Sequence, residues 1–138
     1  MKAFIDAPLL IYLNTLSEPV KRALYENFYM NVLTQYKVYT DVLVLDEVIY
    51  VSKKRYGIPY STTIEFIQST VIPFITILEL GEEEYHKAAE ITREYNIKPS
   101  DALHLGAAMD NNNISLIISE DREYDKIPSI KRLWVTTL

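Results

Sequence analysis

Four acidic residues occupy places from which their carboxylates could act together. Asp6 ends the short apolar run Ala3-Phe4-Ile5, and Asp121 follows a second one, Ile114 to Ile118, after Ser119 and Glu120. Asp101 lies in I-K-P-S-D-A-L-H-L-G-A-A, Ile97 to Ala108, where it falls in the first turn of an otherwise apolar helix. Glu47 shares a helix face with Tyr50, Val51 and Lys54 by the three- and four-residue spacings, flanked by Leu43, Val44 and Val48. Singly, each acid has an ordinary role. An Asp in a first turn gains from the helix dipole, loops are rich in Asp, and a helical Glu is as readily a surface residue. Together they would make an all-oxygen site. Two carboxylates about 4 Å apart repel by roughly 4 kcal/mol at an effective dielectric of 20, so such a cluster protonates, spreads or takes a cation. With no cysteine in the chain and no convergent histidines, oxygen ligation selects Mg²⁺ or Mn²⁺. Such a centre suits phosphoryl chemistry, because the ion both activates water and neutralises charge on the phosphate.

These acids need a scaffold, and the chain punctuates itself clearly. Ala3 to Ile5 reads as a buried strand with Asp6 at its carboxyl end. A short helix runs from Pro8 through Leu13, and a second, capped at Ser17 or Glu18 with Pro19 following, runs through Val20, Leu24, Phe28 and Val32. Thr40 or Asp41 caps a third helix, Val42 to Arg55, which Gly57 and Pro59 terminate. A fourth spans Ser61 to Thr70 and closes at Pro73, before the strand Phe74 to Leu78. Gly81 and three glutamates open a fifth helix that ends near Asn96. Pro99 suits the first position of the Asp101 helix, making Lys98 its cap, and Asn111-Asn112-Asn113 breaks it. A strand from Ile114 to Ile118, a turn or short helix from Arg122 to Lys126, and a last strand at Leu133-Trp134-Val135 complete the chain.

Strands separated by helices imply parallel crossovers, hence a three-layer α/β/α sandwich around a central parallel sheet. In such sheets the working crevice lies beyond the carboxyl ends of the strands. Asp6 and Asp121 end strands there, the Asp101 helix can begin there, and Glu47 can reach it from a packed helix.

The chain of 138 residues reads as one domain, 1–138, long enough to need no staple. A net charge of −5 with a pI near 5.0 argues against a general basic nucleic-acid binder. It leaves room for a nuclease whose site is itself acidic. The absence of cysteine, of a signal peptide and of any apolar span of about 20 residues points to a cytoplasmic protein.

Four stretches, F-I-D-A-P-L-L-I-Y-L, L-D-E-V-I-Y-V, K-P-S-D-A-L-H-L-G-A-A and I-I-S-E-D-R-E-Y-D-K-I-P, together resemble PIN-domain proteins, and in particular the VapC toxins of toxin–antitoxin pairs. That resemblance spans essentially the whole chain. It implies a metal-dependent endoribonuclease in which Asp6, Glu47, Asp101 and Asp121 hold one or two Mg²⁺ or Mn²⁺ ions and Ser119 supports the last acid. It further implies an RNA substrate, a homodimer and a small VapB-type antitoxin whose tail occupies the active-site groove. Pro8 departs from the family, which usually has Asn, Ser or Thr there; proline offers neither donor nor side-chain acceptor. Gly106, where Ala is common, is expected to alter packing alone.

His104, one turn after Asp101, reads as a buried histidine that orients its surroundings rather than as a ligand. Lys53, Lys54 and Arg55 with Tyr56 form a basic-aromatic cluster that could steer RNA phosphates, or equally be a solvated helix end. A catalytically weak PIN domain that binds RNA or protein is the alternative function, with Pro8 as its motive. A phosphorylated receiver domain ranks well below, since Asp6 is followed by Ala7-Pro8 where that class needs a second acid.

Overall fold

The computed structural model describes residues 1–109 and 112–135. Five short strands, β1 (Lys2–Ile5), β2 (Lys37–Asp41), β3 (Thr76–Leu78), β4 (Leu116–Ile118) and β5 (Lys131–Leu133), form one sheet in the order β3-β2-β1-β4-β5. Every pairing is parallel, with Phe4 opposite both Tyr39 of β2 and Ile117 of β4. Parallel neighbours require crossovers, and helices α1 (Ala7–Thr15), α2 (Pro19–Gln35), α3 (Val42–Tyr56), α4 (Tyr60–Phe66), α5 (Glu82–Tyr95) and α6 (Pro99–Met109) supply them. The helices flank the sheet, giving the α/β sandwich expected. None of the described helices is long and apolar enough to cross a membrane.

The helix ends are made by side chains the sequence places there. Glu18 accepts from the N–H groups of Val20 and Lys21 at the start of α2, and Asp41 accepts from Val44 N–H at the start of α3. Gly57, at φ 71°, ends α3 in a left-handed turn that a Cβ would strain. The π-helical turn Ile67–Val71 prolongs α4, so the fourth helical segment covers the expected Ser61 to Thr70 and one residue more at each end. Lys98 precedes α6, and its carbonyl accepts from Ala102 N–H. The layers meet over Phe4, Ile5, Leu9, Leu10, Leu105, Ile117 and Ile118, all fully buried.

The strand inventory differs from the sequence reading in four places, one of them β4, which begins at Leu116 rather than Ile114. β2 was not expected: its five residues sit between a long helix and a helix cap and read as a connection, yet Val38, Tyr39 and Thr40 are buried between β1 and β3. β3 begins at Thr76 rather than Phe74, whose side chain is exposed. β5 is Lys131–Leu133, not Leu133 to Val135. An edge strand tolerates two cations, and Trp134 instead leaves the sheet to pack against Phe28 and Tyr25, both with ring centroids 5.9 Å away. The helix break expected at Asn111 lies outside the described residues.

α5 and α6 approach closely because Gly106 has no side chain. A Cβ there would stand 2.6 Å from the carbonyl oxygen of Glu84, which is backbone and cannot swing aside. Gly106→Ala is therefore expected to force the two helices apart and cost about 1–3 kcal/mol, a lowered urea midpoint at unchanged slope. A midpoint equal to that of the parent protein would mean that the helices part freely.

Candidate metal centre and active site

The sheet order reverses at β1, since the chain moves from β1 to β2 and β3 on one side and then crosses to β4 on the other. The carboxyl ends of β1 and β4 thus frame the switch point where parallel sheets hold their ligands. Asp6 follows β1, and its N–H donates to Ile118 O at 3.0 Å, continuing the β1–β4 ladder past the strand end. Its side chain is 3% exposed. Oδ1 accepts from Ala7 N–H, capping α1, while Oδ2 accepts from the Ser119 hydroxyl at 2.7 Å and from the Tyr124 hydroxyl at 3.3 Å. Pro8 explains the unusual cap: it sits in the first turn of α1 with no N–H to offer.

Ser119 ties two of the expected acids together. Its hydroxyl donates to Asp6 and accepts from Asp121 N–H at 3.1 Å, and Asp121 in turn caps the 3₁₀ turn Arg122–Lys126 through Glu123 N–H. Asp101 enters from the first turn of α6, buried, with Oδ1 accepting from Tyr124 at 3.3 Å. Its Oδ2 is buried and has no hydrogen-bond partner. Burial, then the charge of Asp6, then that of Asp121 push the Asp101 carboxyl up to about 7. Glu47, half-buried on α3, is likewise raised, first by burial and then by Asp6, against which His104 and Lys98 act. The four acids therefore form a row with Asp6 and Asp101 at its centre. Among the described residues no three His, Asp or Glu side chains close on one point as a finished ligand cage.

Two members of this site were missed by the sequence reading. Asp41 was expected only as a helix cap, and it is one: Oδ1 serves Val44 N–H. Its Oδ2 holds His104 Nδ1 at 2.7 Å, and His104 Nε2 stands 3.7 Å from Asp6 Oδ1. His104 is thus the orienting histidine expected. Burial opposes its charge, but the hydrogen bond and charge of Asp41, with Asp6 and Asp101 beyond, prevail and raise its pKa. Tyr124 is the second omission. Its fully buried hydroxyl lies between Asp6 and Asp101, and burial with those two charges raises its pKa well above the ordinary value. The E-Y-D segment showed a turn, and nothing in it signals that the ring points inward.

Of the basic cluster, Lys53 and Lys54 lie exposed over the rings of Tyr60 and Tyr50, with ammonium-to-centroid distances of 5.7 and 5.4 Å. Arg55 turns instead toward a cleft beside Glu120 and Pro8.

Five carboxyls against one imidazolium and Lys98 leave the row in negative excess. The orphaned Oδ2 of Asp101 and a donor set made wholly of oxygen fit a hard divalent cation, which tolerates spaced carboxylates by keeping several waters.

A family model described as the PIN domain matches residues 3–130, and the chain belongs to that family. No curated protein sequence matches it. Among solved structures, it is similar to FitAcB from Neisseria gonorrhoeae, with a TM-score of 0.74 at 14% identity over 99% of each chain. VapBC2 from Rickettsia felis, bound to a DNA fragment of its promoter, gives 0.71 at 16% identity, covering 97% of this chain and 98% of that one. The Mycobacterium tuberculosis toxin VapC20, which cleaves the sarcin–ricin loop, gives 0.71 at 12% identity over 89% and 92%. At such identities the likeness is one of fold.

Proposed function

We propose that this protein is a metal-dependent endoribonuclease of the VapC toxin type, acting in the cytoplasm as a homodimer restrained by a VapB-type antitoxin. The observation that carries the reading is the buried, unpartnered Oδ2 of Asp101, set beside Asp6 and Asp121 at the switch point of the sheet. A site with that much uncompensated negative charge has little use without a cation and an anionic substrate. Asp6, Glu47, Asp101 and Asp121 would hold Mg²⁺ or Mn²⁺. Bound there, the ion would supply Lewis acidity, an activated water and charge neutralisation at the phosphate.

The chain's own groups prepare the site. Ser119 aligns Asp6 and, through the backbone, Asp121. Tyr124 offers its hydroxyl proton to Asp6 and Asp101 from one fixed point, holding their facing oxygens apart. His104, clamped by Asp41, would place a positive charge behind Asp6. The PIN fold and the VapBC neighbours support the VapB-type partner.

The test is incubation of total cellular RNA with the purified protein plus Mn²⁺ or Mg²⁺, and separately with chelator. Metal-dependent cuts at defined sites are expected. No cuts with either metal would overturn the reading in favour of a PIN domain that binds without turnover, the alternative that Pro8 keeps open.

A further inference from the structure

A cleft that the proposed chemistry does not use is lined by close chain neighbours of Asp6 and Asp121. Its volume is about 120 Å³, and its walls include Pro8 and Tyr12 of α1, Val51, Arg55 and Tyr56 of α3, and Glu120. Four of its walls are tethered to the site. Pro8 stands two residues after Asp6 and Glu120 immediately before Asp121. Val51 and Arg55 continue the face of α3 that carries Glu47, about 6 and 12 Å along the helix axis. An RNA strand with a phosphate on the acid row would therefore carry an adjoining base into this cleft. The volume lies below the range of pockets that enclose whole drug-sized ligands, and suits a single ring system.

The polar groups in the cleft are arranged for selection. Both carboxylate oxygens of Glu120 accept from the Tyr12 hydroxyl, at 2.9 and 3.1 Å. The Tyr12 ring is itself packed against Tyr25, with centroids 4.9 Å apart, and against Trp134 at 6.2 Å. Glu120 is thus a positioned acceptor although its surface is exposed. Among the described residues Arg55 makes no hydrogen bond or ion pair, so its five donors are uncommitted. A carboxylate is best satisfied by two adjacent N–H donors. Guanine alone among the four bases presents such a pair, at N1 and the N2 amino group. A guanidinium complements guanine O6 and N7, and tyrosine rings can stack on any base.

We propose that this cleft is a nucleobase site that selects guanine next to the cleaved phosphate, with Glu120 reading the N1–H and N2–H₂ edge and Arg55 meeting O6 and N7. The proposal rests on the nuclease reading for its biological use, but its test does not. Affinities of GMP, IMP, AMP, CMP and UMP are measured by calorimetry on the intact protein with Mg²⁺ present. GMP is expected to bind at least tenfold more tightly than AMP, CMP or UMP, with IMP, which lacks the amino group, in between. Glu120→Gln, an exposed change with no folding penalty, is expected to erase the preference, and Arg55→Ala to weaken GMP severalfold. Equal affinities, no binding by any nucleotide, or a preference unchanged in Glu120→Gln would overturn the proposal. Selective GMP binding without RNA cleavage would sink the nuclease reading and leave the cleft standing. Metal-dependent cuts with no bias toward guanine would do the reverse.

Discussion

Asp101→Asn is expected to abolish RNA cleavage, by at least about 10³-fold, while making the metal-free protein more stable. The two effects have one origin. In the folded chain the Asp101 carboxyl titrates at about 7, against an ordinary value of 3.8. Between these values the folded state binds more protons than the unfolded state, so stability falls as pH rises. The contribution is complete below 3.8 and is lost as pH passes through about 7. The full shift would be worth about 4 kcal/mol at 1.36 per unit, and solvent access reduces it to roughly 2. Asparagine carries no charge and can donate to Asp121. The variant should therefore melt roughly 5 °C or more above the parent at pH 8 without metal, and match it near pH 4. Divalent metal should reverse the order, since a hundredfold excess over Kd adds about 2.7 kcal/mol to whichever protein binds it. Thermal melts at two pH values, with and without Mg²⁺, check all of this. A parent and variant with the same pH dependence would show that the row of acids is not repulsive.

His104→Leu should be the most damaging single change to stability outside the apolar core. Leucine is close in volume, so packing is little disturbed. What is lost is the donor to Asp41 Oδ2, a fully buried oxygen left with a charge and no partner. Breaking a buried pair from one side costs about 3–5 kcal/mol, a large part of the stability of a domain this size. Asp41→Asn should be milder, about 1–2 kcal/mol, because the amide keeps an oxygen for Val44 N–H and remains polar toward the ring. Urea unfolding of the two variants gives the comparison directly. A His104→Leu midpoint no lower than that of Asp41→Asn would mean that the imidazole is dispensable.

The parts of the site that could be read beforehand were those whose local pattern betrays their position. Asp6 and Asp121 close apolar runs, and Asp101 opens a helix that has no polar face, so each is placed at a sheet edge or a helix start by its neighbours. Periodicity placed Glu47 on a helix face but left a surface role equally open, and only the other acids and the PIN-domain resemblance drew it into the site. Asp41 was hidden by a role it truly has: capping α3 accounts for the residue, and its partner His104 lies 63 positions away. β2 was lost for a related reason, since Lys37 to Asp41 alternates too briefly to outweigh the helices on either side. Tyr124 is legible only in three dimensions, because the backbone of a 3₁₀ turn decides whether its ring points in. β5 shows the opposite error: the most hydrophobic residues near the end, Leu133 to Val135, drew the strand toward them, while the hydrogen bonds are made by Lys131 to Leu133.

β1 sits in the middle of the sheet, paired early in the chain with β2 but late with β4. During synthesis the first pairing can form as soon as Lys37–Asp41 emerges, whereas the second awaits Leu116–Ile118. At typical elongation rates the stretch from Asp41 to Asp121 takes on the order of 4–16 s. For that interval the nascent chain holds Asp6 beside an open strand edge, without Ser119, Tyr124 or Asp121 to complete its surroundings. Under the proposed function a half-made chain would therefore be unable to cut RNA, and the hazard it carries is aggregation through that unpaired edge. The completed acid site and the covered sheet edge arrive together, with the same strand.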